Sequence, residues 1–203
     1  MKKALLVLVM VSACAVFAQT IKKLPPVAKE GGMTLMQAME ARASARNFNI
    51  GSVLTDQQLG DMLWCANGYN RANMRTAPSA CNAQAVEIYV FTEEGIWLYM
   101  AKEHSLKQIK SGDFRKATGG QPFVANAAAN LVFVYDSDRF GPKPGETKWA
   151  VSDASFCSEN VYLYCASAGL KTVVRGMFNG EALAKLLELP KSQSVVLTQS
   201  VGK

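Results

Sequence analysis

The run Val86-Glu-Ile-Tyr-Val-Phe-Thr-Glu-Glu-Gly-Ile-Trp-Leu-Tyr-Met100 decides the fold class. Val86, Ile88 and Val90 alternate with Glu87 and Tyr89, the two-residue period of a strand with one face toward a core. Glu93-Glu94-Gly95 reads as a turn and Ile96 to Met100 as a second strand, so the run is a hairpin. Helical patterns surround it.

Upstream, Thr34-Leu-Met-Gln37 has the form of a capping box, and Leu35, Met36 and Met39 begin an apolar stripe running to Arg42 or beyond. A second box, Thr55-Asp-Gln-Gln58, opens a helix whose Leu59, Met62, Leu63 and Ala66 share a face, with Asn67-Gly68 as its stop. Downstream, residues 101 to 128 read as helix in pieces, broken at Ser111-Gly112 and Gly119-Gly120. Asn130-Leu-Val-Phe-Val-Tyr135 is apolar enough for a buried central strand. Residues 136 to 148 form an exposed loop. From about Ala150 to Ala168 only Asp153 and Glu159 are charged, which predicts a buried central helix stopped by Gly169. Lys171 to Arg175 reads as strand, Asn179 caps a helix through Leu187, Pro190 ends it, and Val195 to Thr198 is a last strand. The sum is an α+β domain, an antiparallel or mixed sheet with helices around it.

Of the 203 residues, 49% are hydrophobic and 19% charged, which excludes a disordered chain and a bundle of membrane spans. Residues 1–18 stand apart. Lys2-Lys3, the apolar run Ala4 to Phe17, and Ala18 make the charged start, short apolar middle and small-residue exit of a signal peptide. The run is shorter than the roughly twenty residues a bilayer span needs. Val11-Ser-Ala-Cys14 also has the form of a lipobox, but the residues after Cys14 stay apolar where a lipidated cysteine is ordinarily followed by polar linker. Cleavage after Ala18 is therefore expected, and on either exit the protein is exported, to the periplasm or the cell exterior. Residues 19–33, with Lys22-Lys23, Pro25-Pro26 and Gly31-Gly32, read as an extended linker into a single domain spanning 34–203.

Without Lys2 and Lys3 the formal charge falls from +6 to +4, and no basic cluster exceeds a pair, so no nucleic-acid face is expected. Loss of Cys14 leaves Cys65, Cys81, Cys157 and Cys165. Cys157 and Cys165, eight apart on one helix, are separated by about 12 Å of rise, too far for a bridge, and read as small core residues. Cys65 and Cys81 could pair. His104 is the only histidine and no cysteine pair has metal-site spacing, so neither a metal site nor a cysteine-histidine nucleophile is expected.

Three segments carry candidate chemistry. Arg42-Ala43-Ser44-Ala45-Arg46 would place two guanidinium groups on one helix side with a hydroxyl between them in sequence, a phosphate clamp or simply a basic helix end. Arg75-Thr-Ala-Pro-Ser-Ala-Cys-Asn-Ala-Gln-Ala85 is a loop carrying a reactive cysteine, a disulfide anchor, or a polar cradle in which Asn82 and Gln84 donate and accept at once. Thr172-Val-Val-Arg-Gly176 is a strand ending in a glycine that can bare its backbone to a ligand.

In order and context these segments, with Phe48, Leu59 to Trp64, Asp153 through Asn160 to Ala168-Gly-Leu170, and Val174-Arg-Gly176, resemble the nitroreductase family, particularly its short branch related to thiazole- and oxazole-forming dehydrogenases. The resemblance covers residues 34–203. It implies a nitroreductase-like fold, a central and mainly antiparallel sheet surrounded by helices, in a homodimer with two shared FMN sites. It implies that Arg42, Ala43, Ser44 and Arg46 hold the FMN phosphate and ribityl chain, and that Pro78, Ser79, Ala80, Asn82 and Gln84 pack on the flavin from the other subunit. Val174, Arg175 and Gly176 would face the ring edge near N5, and Lys203 the phosphate. The reaction implied is ping-pong transfer from NAD(P)H, or another donor outside the cytoplasm, to a small acceptor such as a nitroaromatic or a quinone. No catalytic side chain is required, because the flavin carries the chemistry. Ala85 departs from the family, where proline often follows the glutamine, and Cys81 is unusual in its loop. A non-catalytic module binding flavin or another planar ligand, and a thiol redox protein using Cys65 and Cys81, are the alternative functions.

Overall fold

The hairpin forms as expected and nucleates a seven-stranded sheet. The computed structural model describes residues 20–140 and 147–203; the expected signal peptide with Cys14, and residues 141–146 of the expected loop, lie outside the described residues. In chain order the elements are β1 (Ile21–Lys23), α1 (Leu35–Ala41), α2 (Asp56–Asn67), β2 (Tyr69–Arg71), β3 (Met74–Arg75), β4 (Val86–Phe91), β5 (Gly95–Met100), β6 (Ser105–Ser111), β7 (Ala129–Asp136), α3 (Thr147–Ser167), β8 (Lys171–Arg175), α4 (Gly180–Leu187) and β9 (Gln193–Gly202). The sheet order is β1-β6-β5-β4-β7-β9-β8, with antiparallel pairing throughout. Strands β2 and β3 make a separate small hairpin.

The apolar run in β7 is central because β4 and β9 satisfy its backbone on both sides, leaving its side chains to fill two layers. Leu131, Phe133 and Tyr135 face α2 and α3, where Met62, Leu63, Ala154, Cys157, Val161 and Cys165 complete the larger core. Val132 and Val134 face the opposite way, onto Leu183 and Leu187 of α4. Both capping boxes are present, at Thr34 with Gln37 and at Thr55 with Gln58. Cys157 and Cys165 are buried thiols on one helix, and burial pushes Cys157 up to about 12. Cys65 and Cys81 are free thiols and do not pair. Among the described residues no helix is long and apolar enough to cross a membrane.

Three expectations are corrected. Residues 105–111 are strand, not helix. Leu106 and Ile109, three apart, mimic a helical stripe, but here they lie on opposite faces of β6 and pack into the two different core layers; tertiary context overrides the local pattern. The rest of the 101–128 stretch is 3-10 turn at Arg115–Thr118 and Pro122–Asn126.

The expected linker, residues 19–33, is extended but docked. Ile21–Lys23 adds a strand to β6, and Pro25-Pro26 then ends the pairing because proline offers no N–H. Beyond the strand the Leu24 amide donates to the His104 carbonyl at 3.1 Å, the Ala28 amide to Asp61 Oδ1 at 2.9 Å and the Met33 amide to Ser167 Oγ at 2.8 Å. The folded unit therefore takes in residues from Ile21 onward, ahead of the expected start at Thr34.

The last strand is longer than Val195 to Thr198. Thr198, Gln199 and Ser200 are polar yet fully buried. Partners come from distant segments: Thr198 Oγ1 donates to the Arg175 carbonyl, Gln199 Nε2 to the Ser158 carbonyl and Thr172 Oγ1, and Ser200 Oγ to Asn130 Oδ1, while Gln199 Oε1 is buried without a partner among the described residues.

Candidate functional site

The arginine segment is not helical. Helix α1 ends at Ala41, Arg42 turns out at φ −55 and ψ 122, and Ser44 makes a parallel bridge to Thr172 of β8, where the Ala45 amide donates to the Thr172 carbonyl at 2.9 Å. The expected clamp on one helix side is therefore replaced by an extended run. In such a run residues two apart share a side, which puts Ser44 between Arg42 and Arg46 on that side while spreading the two arginines to about 13 Å of rise, further apart than on a helix. Ala43 lies between them, exposed.

One hydroxyl organises this edge. Tyr162 of α3 accepts the Val174 N–H at 2.9 Å and lies 2.8 Å from Ser44 Oγ. Either oxygen of the Ser44–Tyr162 pair can donate. With the phenol, the more acidic group, as donor, the Ser44 proton points to solvent. The Arg42 guanidinium stands over the Tyr162 ring at 5.5 Å from its centroid.

Beyond Thr172 the outer edge of β8 is open. Strand alternation turns the amides and carbonyls of Lys171, Val173 and Arg175 toward β9, with which they pair, and those of Thr172, Val174 and Gly176 outward. Gly176 is exposed, and a Cβ there would meet nothing within 4 Å. At the other end of the strand the Asn49 amide donates to the Lys203 carbonyl at 2.7 Å and Lys171 Nζ to the Asn47 carbonyl at 2.8 Å. This brings Lys203 beside the segment that follows Arg46. Arg42, Arg46 and Lys203 form no ion pair among the described residues.

Arg175 behaves differently from its neighbours. Its side chain is 4% exposed and points into the opposite layer, where Nη1 donates to the Thr118 carbonyl at 2.8 Å and Nη2 to Thr118 Oγ1 and Asn130 Oδ1 at 3.3 and 3.4 Å. A Cβ on Gly119 would sit 2.1 Å from Nη1, so this packing requires glycine there. Among the described residues no carboxylate pairs with the guanidinium, and its Nε is buried without a partner. Burial lowers its pKa to about 10, which leaves it charged at neutral pH. The strip of β8 open to a ligand is thus the Val174 carbonyl and the Gly176 backbone, with Arg175 beneath it.

The 78–84 loop lies elsewhere on the chain surface. It turns through Ala80–Asn82, and Cys81, Asn82 and Gln84 take φ of 51, 51 and 52, a left-handed conformation that non-glycine residues rarely hold without restraint. The restraints are visible. Ala80 N donates to Asp153 Oδ1 at 3.1 Å, and Gln84 N to Ser79 Oγ at 2.9 Å. Gln84 Oε1 accepts from Arg75 Nε at 3.1 Å and Tyr69 Oη at 3.2 Å, while its Nε2 donates to the Asn73 carbonyl and Asn82 Oδ1. The Gln84 amide is therefore spent on holding the loop. Pro78 and Asn82 remain exposed, with Ser79 and Ala80 half-buried.

Sequence reasoning assigned no role here to Tyr162, Arg75 or Tyr69, and quoted Asp153 only as part of a motif. A phenol and a carboxylate on an otherwise apolar helix were the signal, since each needs a partner. Burial raises the Asp153 carboxyl above its ordinary value, with the Ala80 N–H acting against the shift.

Asp153 and Tyr162 are nine residues apart on α3, about 13.5 Å along the helix, so one chain does not bring the loop and the arginine edge together. Several large apolar side chains nearby are exposed. Trp149 and Phe156 of α3, and the Leu35, Met36 and Met39 stripe, are exposed, Met36 at 74%.

Comparison with known proteins places this geometry. The model of the Nitroreductase family matches residues 39–203. A curated "putative nitroreductase" of Methanocaldococcus jannaschii is 28% identical over 175 residues, covering 80% of this chain and 87% of that protein. A crystal structure described as a "putative nitroreductase" from Ralstonia eutropha JMP134 superposes with a TM-score of 0.83 at 36% identity, covering 90% of this chain and 89% of the other. The Escherichia coli microcin synthetase McbBCD complex contains a chain of the same fold, TM-score 0.68 at 15% identity, covering 88% and 76%.

Tyr162→Phe should leave the Val174 N–H without its partner and Ser44 without its restraint, lowering unfolding free energy by about 1–3 kcal/mol, as read by chemical denaturation. For Asp153, the folded state holds its proton at pH values where the unfolded chain has released it. Its contribution to stability is then complete below the ordinary carboxylate range and falls as pH rises through the raised folded value. Unfolding free energies of wild type and Asp153→Asn, measured across that window, should diverge in favour of the variant as pH rises; parallel curves would refute the shift.

Proposed function

The chain belongs to the nitroreductase family and is an oxidoreductase of nitroreductase type, and from that premise we propose that it is FMN-dependent, with the cofactor along the open edge of β8. The observation that carries the proposal is the coincidence, along the outer edge of β8, of the open Val174 carbonyl and Gly176 backbone with Arg42, Ser44, Arg46 and Lys203, whose three cations lack acidic partners among the described residues. That donor set fits FMN: guanidinium and ammonium groups suit a phosphate, and a bare strand edge suits the hydrogen-bonding rim of a flat ring. Bound FMN would accept a hydride from NAD(P)H or another donor and return it to a small acceptor such as a nitroaromatic or quinone. The chain's own part is to bind, orient and cover. Arg42 and Arg46 grip the phosphate, Ser44 offers the proton that Tyr162 frees, and Gly176 lets the ring approach the backbone.

Covering the ring takes a second chain. The exposed apolar side chains of α1 and α3, and the distance between the 78–84 loop and the β8 edge, support a homodimer in which Pro78, Ser79, Ala80 and Asn82 of each subunit close the site of the other. Gln84 would act there by shaping the loop. Export rests on Lys2-Lys3, the Ala4 to Phe17 run and Ala18, and outside the cytoplasm a donor other than NAD(P)H is the one to look for.

Purified protein should be yellow or become so with added FMN, and anaerobic NADH or NADPH should bleach it if either is the donor; colourless protein that takes up no FMN would refute the reading, and bound flavin that no donor reduces would favour a binding module. Arg42→Ala should weaken FMN binding roughly 10- to 100-fold, the equivalent of one hydrogen bond to a charged group, with equal affinities counting against the clamp. Light scattering of the secreted protein should give a dimer, and its intact mass should correspond to a start at Gln19.

A further inference from the structure

Arg175 is a cation in a place where cations are costly. A buried charge ordinarily has an opposite charge beside it, yet among the described residues every partner of this guanidinium is neutral, the Thr118 carbonyl and hydroxyl and the Asn130 amide oxygen, and Nε has none. Asn130 Oδ1 is itself shared with Ser200 Oγ at 2.6 Å, and Asn130 Nδ2 is held by the Val124 carbonyl at 2.9 Å. The network fixes the guanidinium without neutralising it. A role confined to tying the 115–126 segment to the sheet would be served by an uncharged donor at lower desolvation cost. The position in sequence suggests what the charge is for, because Arg175 lies between Val174 and Gly176, the two residues whose backbone is open on the outer edge of β8.

We propose that Arg175 is a positioning residue of an electrostatic kind: its uncompensated charge, fixed beneath the Val174–Gly176 edge, raises the reduction potential of a flavin bound there. The inference rests on the FMN reading above. Uptake of a hydride, two electrons and one proton taken from the donor, adds one negative charge to the bound cofactor, and a fixed positive charge on the inner side of its binding edge favours that charge. The guanidinium touches neither ring nor substrate and acts through space, in an interior where water does not screen it. Two unit charges roughly 10 Å apart at an effective dielectric of about 20 shift an equilibrium by about tenfold.

The test is the midpoint potential of the bound flavin, titrated against a reference dye. Arg175→Gln should shift the equilibrium about tenfold toward the oxidised form, a fall of roughly 30 mV for a two-electron couple, and Arg175→Lys should keep most of the wild-type value. Should Arg175→Gln fail to fold, Asn130→Asp keeps the arginine and places a carboxylate beside it, and should lower the potential likewise. A purely structural arginine would change melting temperature and leave the potential where it was. Flavin bound with the same potential in wild type, Arg175→Gln and Asn130→Asp would overturn the inference and leave the FMN reading standing, whereas wild-type protein that binds no flavin overturns both.

Discussion

Burial of the 21-residue helix α3 across one face of the sheet is the constraint on which the rest of the molecule depends. Its apolar side fills the larger core with Ala154, Cys157, Val161 and Cys165. Its few polar groups have nowhere to go except to partners that the neighbouring segments must supply. Asp153 takes the Ala80 amide and so holds the 78–84 loop; Tyr162 takes the Val174 amide and the Ser44 hydroxyl and so holds the edge of β8. These two pairings are held because leaving a buried polar group unpaired costs about 1–3 kcal/mol, against a net gain of about 0.5–1.5 kcal/mol for a hydrogen bond made. The helix is thus both core and ruler for the site.

What could be read in the sequence follows from how local its cause is. Capping boxes, the hairpin period and the uniform apolarity of residues 130–135 are set by near neighbours, and all three form. Strand β6 was not legible, because Leu106 and Ile109 satisfy a helical spacing and only the presence of a core on both faces of the sheet makes them a strand. The end of β9 was hidden for the complementary reason. Thr198, Gln199 and Ser200 look like surface until Asn130, Thr172 and Ser158 are brought to them from distant parts of the chain. The α1 stripe was legible as apolar but not as exposed, since an amphipathic helix carries the same pattern whether its face meets a core or another subunit.

The same division applies within the site. Arg42, Ser44 and Arg46 stand out by residue type, and the structure keeps them together while changing the backbone that does so, from helix to an extended run against β8. Asn82 and Gln84 are alike in sequence and differ in the fold: the Gln84 amide is fully engaged by Arg75, Tyr69, Asn73 and Asn82, and Asn82 stays exposed. Arg175 reads as one more basic residue beside a glycine. Its isolation from the carboxylates of the described residues is a property of three-dimensional packing alone.

The strain in the 78–84 loop bears on how the parts meet. Three non-glycine residues in the left-handed region cost on the order of 1–3 kcal/mol each, and the Ala80, Ser79 and Gln84 hydrogen bonds hold them there. A loop kept in an unfavourable conformation by its own chain, with its tip turned outward at Asn82, is preformed for something outside that chain. The loop and the β8 edge are held by Asp153 and Tyr162, nine residues and about 13.5 Å of rise apart on one helix. Bending one chain to join them would break the Asp153 and Tyr162 bonds that create both features, whereas in the proposed homodimer a second copy packed on the apolar side chains of α1 and α3 would join them with those bonds intact.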